Sequence, residues 1–425
     1  MKLFNFELTT LKSKLYAIVF ASFVVRVVAF FALPNTPNAF GPDEGTYGRA
    51  ANWVSLSKPV TDFPEYGAGL YVSGRSLLLP AAFLNKIGLT PLDSVRLTAS
   101  LYGLLTLCLV TALILHTVSR NTNFAQFAAG FPGLLITLFL TFTFLPSHLI
   151  WSLLGLRESA IEFWTLCVFA SLYWLFHFHK KISLKSSILL VASIVFAFSS
   201  RAQVGWVIVI AILIFLLINI RERIALTLIP LVLVGLVLGF TGTTGTITSV
   251  GEKIIGSLAI AGEIASYKHQ VNQLAAQSAI TTQSCPRDGL AYTNRPSSRL
   301  DTYFCIAWRA PYMAATFLFR PLIFIDTTST SSLFAAIENI AWLGAFIFIV
   351  VMLIKKRRLA FIGPLAPSLI FFMLYCVGAG SYEGNMGTAF RHKSLILWVI
   401  LLLLASVMAA EKRPKPRNES AQKGV

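Results

Sequence analysis

Charged residues are scarce in this sequence. Only 12% of its 425 residues are Asp, Glu, Lys or Arg, whereas 56% are hydrophobic and the mean hydropathy is +0.72. Soluble domains carry about 25% charged residues, so the composition excludes a water-soluble fold and predicts a polytopic membrane protein. Apolar windows of about 18 to 25 residues, long enough to cross a hydrocarbon core of about 30 Å, recur along the chain.

These windows predict an all-α fold, a transmembrane helical bundle of about ten spans. We expect one transmembrane domain over residues 1–410, with long extracytoplasmic loops that carry short helices, and a disordered basic cytoplasmic tail over 411–425. The ten predicted spans are residues 15–33, 96–118, 128–150, 160–178, 186–200, 203–220, 224–240, 333–354, 359–378 and 393–410.

Acidic residues are about half as frequent as basic ones, 18 against 35, which gives a net charge of +17. Many basic residues fall on one side of the ten-span topology: Lys2, Lys12, Lys14, Arg120, Lys180, Lys181, Lys185, Arg221, Arg223, Lys355, Lys356, Arg357, Arg358, Lys412, Arg413, Lys415, Arg417 and Lys423. By the positive-inside rule that side is cytoplasmic. We therefore predict a multi-pass plasma (inner) membrane protein with both termini cytoplasmic, and we interpret the basic excess as a topology signal rather than as nucleic-acid binding.

The absence of several sequence motifs narrows the range of possible functions. The five cysteines show no Cys/His spacing of a zinc site, no phosphate-binding Gly-Lys-Ser/Thr loop supports ATP-driven transport, and no internal repeat is visible. Cys285 and Cys305 share an outer loop, so a disulfide between them is one possibility in an oxidising compartment. The extracytoplasmic loops, about 34–95 and 241–332, are long, and long loops on a helical scaffold tend to carry binding and catalysis.

The first outer loop carries the acidic pair Asp43 and Glu44, between Pro42 and Gly45. This is turn chemistry, so a solvated turn or a helix N-cap is one interpretation. A site is the other, because Arg26 lies inside the first span, where a charge needs a partner or a cavity. Tyr47 follows at helical spacing, and aromatic and Arg side chains beside carboxylates suit a sugar-phosphate ligand.

A second cluster, Arg157 and Glu158, precedes the fourth span on the same side. The two side chains could simply pair with each other at the interface. Alternatively, Glu158 joins Asp43 in one site and Arg157 binds phosphate. Glu162 lies four residues after Glu158, so the two acids share a helix face, which favours a cavity or a cation between them.

A third cluster lies between the last two spans, where Glu383 is followed by the cationic run Arg391, His392 and Lys393. Cations at the membrane boundary fit a phosphate at the level of the lipid headgroups. An ordinary hairpin with snorkelling cations is the alternative. Arg201, in the turn between the fifth and sixth spans, is a further cationic candidate.

The order of these features resembles the class C (GT-C) membrane glycosyltransferases, in particular the branch of protein O-mannosyltransferases and polyprenyl-phosphate-sugar-dependent enzymes. The matching residues are Arg26, Pro42-Asp43-Glu44 with Tyr47, the Arg96-Leu97-Thr98-Ala99-Ser100 start of the second span, and Glu158. The resemblance covers residues 15–180. The sequence departs from the family in the local pattern around Glu158 and in having no large C-terminal periplasmic domain, which weighs against protein glycosylation.

The resemblance implies an inverting transfer from a polyprenyl-phosphate-linked sugar to a glycan or lipid-linked acceptor hydroxyl, on the extracytoplasmic face, in cell-envelope polysaccharide assembly. Catalytic roles would fall to Asp43 as general base, Glu44 and Glu158. A divalent cation, Mg²⁺ or Mn²⁺, could lie between Asp43 and Glu158. An envelope polysaccharide polymerase, or a transporter or flippase of lipid-linked sugar, is the alternative, since each also needs outer-face Arg and Glu residues.

Overall fold

The computed structural model describes residues 2–34, 36, 43–58, 63, 74–119, 132–178, 184–218, 310–323, 326, 330–356, 365–382 and 386–409. Within these residues all regular structure is helical. The helices are α1 (Lys2–Ala32), α2 (Glu44–Ser55), α3 (Arg75–Lys86), α4 (Pro91–Ser119), α5 (Pro132–Phe144), α6 (Pro146–Leu153), α7 (Glu158–Phe178), α8 (Leu184–Ser200), α9 (Ala202–Ile218), α10 (Ala310–Phe319), α11 (Thr330–Lys356), α12 (Ala366–Tyr382) and α13 (Met386–Ala409).

Five helical segments in the described part of the chain are long and apolar enough to cross a membrane: Thr9–Ala32, Pro91–Ser119, Gly133–Leu153, Ser332–Lys355 and Gly387–Met408. The all-α membrane prediction is therefore confirmed at this coarser level, whereas the count of ten spans is not. Helices α8, α9 and α12 coincide with predicted spans but have 17 residues each. The predicted span 224–240 and the tail 411–425 lie outside the described residues.

The predicted third span is two helices rather than one. Helix α5 ends at Phe144 and α6 begins at Pro146, with Leu145 between them in an extended conformation (φ −84°, ψ 162°). Proline has no backbone N–H and disfavours a helical conformation in the residue before it. The break turns α6 so that Ser147, His148 and Ser152 are buried against neighbouring helices.

Helices α4 and α13 form the centre of the bundle. Helix α4 packs against α1, α6, α7 and α13, and 94% of the residues in the apolar stretch of α13 are buried. Apolar side chains from many helices make one continuous core around them, in which Trp342 and Trp398 are the largest fully buried residues. A helix so enclosed by protein presents its polar residues to other side chains rather than to lipid.

A second, smaller apolar core lies under the two short helices of the first outer loop. Helices α2 and α3 pack on each other and on α4, and Tyr47, Leu77 and Val95 are buried among them. A hydrogen bond from the Tyr102 hydroxyl to the Ser76 carbonyl (2.8 Å) and a short Ser76–Ser200 hydroxyl contact fix α3 to α4 and to the end of α8. The start of α2 therefore has a defined place against the bundle.

Candidate active site

Asp43 lies at the N-cap position of α2, but its side chain makes no capping hydrogen bond. Instead, Arg391 Nη1 donates to Asp43 Oδ2 at 3.2 Å, and the side chain of Asp43 is 45% exposed. The N-cap interpretation of the sequence thus accounts for the backbone position only. The carboxylate itself faces a cation from α13.

Arg391 also contacts a second carboxylate. Its Nε lies 3.0 Å from Glu158 Oε1, at the first residue of α7, and the side chain of Glu158 is 1% exposed. The Nε–H bond is not aimed at that oxygen, and neither oxygen of Glu158 receives a hydrogen bond from the described residues. The pair is therefore held by charge, and the buried carboxylate keeps acceptor capacity unused.

Arg201 and His392 meet beside the same carboxylate. Arg201 Nη1 lies 2.6 Å from His392 Nε2, which in turn lies 3.8 Å from Glu158 Oε1. A guanidinium can only donate, so Nε2 of His392 must accept, and the ring proton then resides on Nδ1. Arg201 occupies the one-residue turn between α8 and α9, as the sequence predicted for that segment.

Tyr47 and Arg157 complete the cluster. Tyr47 is 4% exposed and lies within the electrostatic reach of Arg157, Glu158, Asp43 and Arg391. Burial raises the pKa of the Tyr47 phenol well above its usual value, and the neighbouring carboxylates act in the same direction. Tyr47 therefore stays protonated at any physiological pH and can serve as a hydrogen-bond donor or an aromatic wall.

The cluster has a formal surplus of positive charge. Three guanidinium groups, those of Arg157, Arg201 and Arg391, act on Glu158, while the carboxylates are those of Glu158 and Asp43. With His392 neutral the sum is about +1 at pH 7 from the ordinary pKa values of these groups. Such a site can accept one additional negative charge, and all three Arg side chains are partly accessible.

Glu44, although adjacent to Asp43, belongs to a different contact. It is fully buried, and Arg96 Nε donates to its Oε1 at 2.5 Å. Arg96 Nη1 also donates to the Pro34 carbonyl at 3.1 Å. This ion pair ties the beginning of α2 and the end of α1 to α4, and Glu44 has no exposed surface with which to touch a substrate.

Arg26 lies apart from Asp43 in a separate buried network. It donates to the Ser22 hydroxyl and, at 3.0 Å, to Ser152 Oγ on α6. Glu162 acts on Arg26 electrostatically and contacts His148 Nδ1 at 3.0 Å. A charge at that depth finds partners, as expected, but in a network that does not include the Asp43 carboxylate.

Glu158 and Glu162 share a helix face but have different partners, Arg391 and His148. No group of three or more His, Cys, Asp or Glu residues that could hold a metal ion occurs in the described ranges. Asp43 and Glu158 are joined through Arg391 instead. Glu383, Cys285 and Cys305 lie outside the described residues.

Sequence reasoning gave no role to the buried residues His148 and Glu338, and it used Arg96 only as the first residue of a matching segment. Each lies in or beside a long apolar segment, and an ionisable residue at such a position is itself a functional signal. His148 is 1% exposed inside the predicted span 128–150, and Glu338 is 0% exposed inside 333–354. The criterion that singled out Arg26 would have found them.

Comparison with known proteins adds little. No protein-family model and no curated protein matches the sequence. Among solved structures, the chain is similar to the crystal structure of ArnT from Cupriavidus metallidurans in the apo state, at 14% identity and a TM-score of 0.37, over 92% of this chain and 77% of the ArnT chain.

Proposed function

We propose that the protein is a membrane glycosyltransferase that moves a sugar from a polyprenyl-phosphate donor to an acceptor hydroxyl on the extracytoplasmic face. The observation that carries the proposal is the Asp43–Arg391–Glu158 arrangement. An accessible carboxylate and a cationic cluster lie side by side, each drawn from a different part of the chain. A proton acceptor beside an anion site is what transfer from a sugar phosphate requires.

Accessibility supports Asp43 as the general base. The side chains of Glu44 and Glu158 are 0% and 1% exposed, whereas that of Asp43 is 45% exposed. A base must come within hydrogen-bond reach of the proton that it removes. Asp43 therefore takes the proton, Glu158 acts as a buried counter-charge for the cations, and Glu44 holds α2 in place.

The reaction forms one bond and breaks another at the anomeric carbon. The acceptor oxygen attacks that carbon while its proton passes to Asp43, and the bond to the phosphate oxygen breaks with its electron pair. The products are an inverted glycoside and a polyprenyl phosphate. Because the phosphate is already a good leaving group, the protein contributes mainly position and charge stabilisation.

Arg391, Arg157 and Arg201 would hold that phosphate. Their formal surplus over the two carboxylates is about one charge at neutral pH, which suits the single charge of a phosphodiester. A planar guanidinium group can donate two parallel hydrogen bonds to two oxygens of one phosphate. The resemblance to class C glycosyltransferases points to the same donor class.

The test is transfer by the purified protein from synthetic polyprenyl-phosphate sugars to lipid-linked or glycan acceptors. Asp43→Asn keeps the size of the side chain and removes its basicity. We expect a fall in kcat of about 10²- to 10⁴-fold with an unchanged thermal midpoint. Asp93→Asn is the matched control, because Asp93 is a half-exposed acid near the start of α4 that contacts only Thr90 among the contacts described.

A transporter or flippase would behave differently. It would move lipid-linked sugar across liposome membranes, and Asp43→Asn would leave that movement largely intact. Lipid movement without any transfer from the donors would replace the enzyme proposal with the transport alternative.

A further inference from the structure

Three consecutive residues of α13 have different sets of partners. Arg391 contacts Asp43 and Glu158, His392 contacts Arg201, and Lys393 turns away from both. Residues two positions apart on a helix point about 200° from each other, so Arg391 and Lys393 lie on opposite sides of α13. One interpretation of the sequence grouped all three cations at a phosphate, whereas the structure separates Lys393 from Arg391 and His392.

Lys393 is bound inside the protein. It is 1% exposed, and its Nζ donates to Asn339 Oδ1 at 3.0 Å and to the Arg320 carbonyl. Asn339 Nδ2 donates in turn to the Pro321 carbonyl at 3.1 Å. Lys393 therefore joins α13 both to α11 and to the outer turn after α10.

Glu338 lies beside this network. It accepts from Ser147 N at 3.1 Å, from Trp342 Nε1 at 3.0 Å and from the Ser147 hydroxyl. Its carboxyl group lies within electrostatic reach of Lys393. The network spans α6, α11 and α13 and is buried throughout.

We propose that Lys393 is a positioning residue that fixes the rotation and depth of α13, so that Arg391 lies between Asp43 and Glu158. This inference deepens the proposed function. The opposite side of α13 offers Arg391 only charge contacts to Glu158 and one hydrogen bond to a half-exposed carboxylate. Lys393 adds two hydrogen bonds to α11 and to the turn after α10 on the other side of this turn of the helix.

The experiment is a double-mutant cycle of Lys393→Met and Arg391→Gln, read on the thermal midpoint in detergent and on the transfer rate. Loss of Lys393 leaves two buried carbonyl oxygens without their donor, which shifts the helix. We expect Lys393→Met to lower kcat at least tenfold in the wild type and less than threefold in the Arg391→Gln background. The two midpoint shifts should likewise be less than additive.

Three further variants complete the test. Lys393→Gln retains two N–H donors without the charge, so we expect it to recover more than a third of wild-type kcat. If Lys393→Met does not fold, Asn339→Leu removes one acceptor of the same network and should couple to Arg391→Gln in the same direction. Tyr173→Phe is the control. Tyr173 lies on α7, far from Arg391 and Lys393, so its effect on the thermal midpoint should add to that of Lys393→Met or Asn339→Leu.

The outcomes separate the two proposals. Full additivity of the Lys393 and Arg391 substitutions in the thermal midpoint overturns the positioning role, whatever the protein catalyses. A coupled thermal cycle in a protein that transfers no sugar supports the positioning role and rejects the enzyme. Coupling in both the thermal midpoint and the transfer rate supports the positioning role and the enzyme proposal together.

Discussion

Arg391 Nη1 lies 3.2 Å from Asp43 Oδ2, although 348 positions separate the two residues in the sequence. The contact joins the beginning of a short outer helix to the most deeply enclosed helix of the bundle. Through the same guanidinium, Asp43 is linked to Glu158 on a third helix. Three residues that lie far apart in the sequence thus meet at one point.

Arg391→Lys tests whether one cation must serve both carboxylates. A lysine ammonium is a point charge and cannot present Nη1 to Asp43 and Nε to Glu158 together. We expect kcat to fall by about two orders of magnitude, a loss of about 3 kcal/mol of transition-state stabilisation, measured as initial transfer rates. A variant with wild-type kcat would show that the bridge plays no part in turnover.

Glu44→Gln should act on stability rather than on chemistry. Loss of one partner from a buried ion pair costs about 3–5 kcal/mol, because Arg96 would keep its charge in a site closed to water. The apolar double replacement Glu44→Leu/Arg96→Met should restore the thermal midpoint and most of the activity. Persistent inactivity in a double variant of normal stability would instead return Glu44 to the catalytic group.

Gly380→Ala should destabilise the protein through the backbone. A Cβ at this position would lie 2.3 Å from the Met313 carbonyl oxygen on α10, and backbone cannot move away as a side chain can. Overpacking of this kind costs about 1–3 kcal/mol, visible as a lower thermal midpoint. Gly378→Ala is the matched control on the same helix, since a Cβ there would meet no described atom within 4 Å apart from its chain neighbours and the backbone of its own helix.

Asp326 gives a prediction about pH. The Arg320 hydrogen bond lowers the pKa of Asp326 below its usual value, opposed by burial and aided by the Leu322 N–H. The stabilisation is therefore complete above the unfolded pKa of about 3.9 and is lost as the pH falls through the lower folded value. At pH 7, Asp326→Asn should cost about 1–2 kcal/mol.

The difference in thermal midpoint between the wild type and Asp326→Asn is the quantity to follow. It should stay constant between pH 5 and 8 and shrink below about pH 4, where the wild-type carboxyl also takes up a proton. A difference that grew on acidification would contradict the assignment of Asp326 as the ionised partner of Arg320.

Apolar runs predicted where most helices lie, because a membrane demands long hydrophobic segments whatever the tertiary packing. The break at Leu145 was missed because one proline within an apolar run gives no sign of whether the chain continues straight. The nearness of Asp43, Glu158 and Arg391 was expected as a hypothesis from their common side of the membrane, and the structure brings them together.

The partners of individual side chains were beyond sequence reasoning. Glu44 and Asp43 are neighbours in sequence, yet one points into α4 and the other towards α13. Arg391 and Lys393 likewise diverge because of helix geometry combined with packing on both sides. Local sequence identifies polar residues in costly places, whereas the three-dimensional arrangement decides which of them meet.

Because Glu158 is closed off from water, its attraction to Arg391 should depend little on the ionic strength of the medium. Mobile ions screen charges that water can reach, over about 8 Å at physiological ionic strength, but they cannot enter the space around a side chain that is 1% exposed. The attraction between Glu158 and Arg391 should therefore change little from dilute to brackish media. A change in the salt concentration outside the protein should therefore leave α7 and α13 aligned at this point.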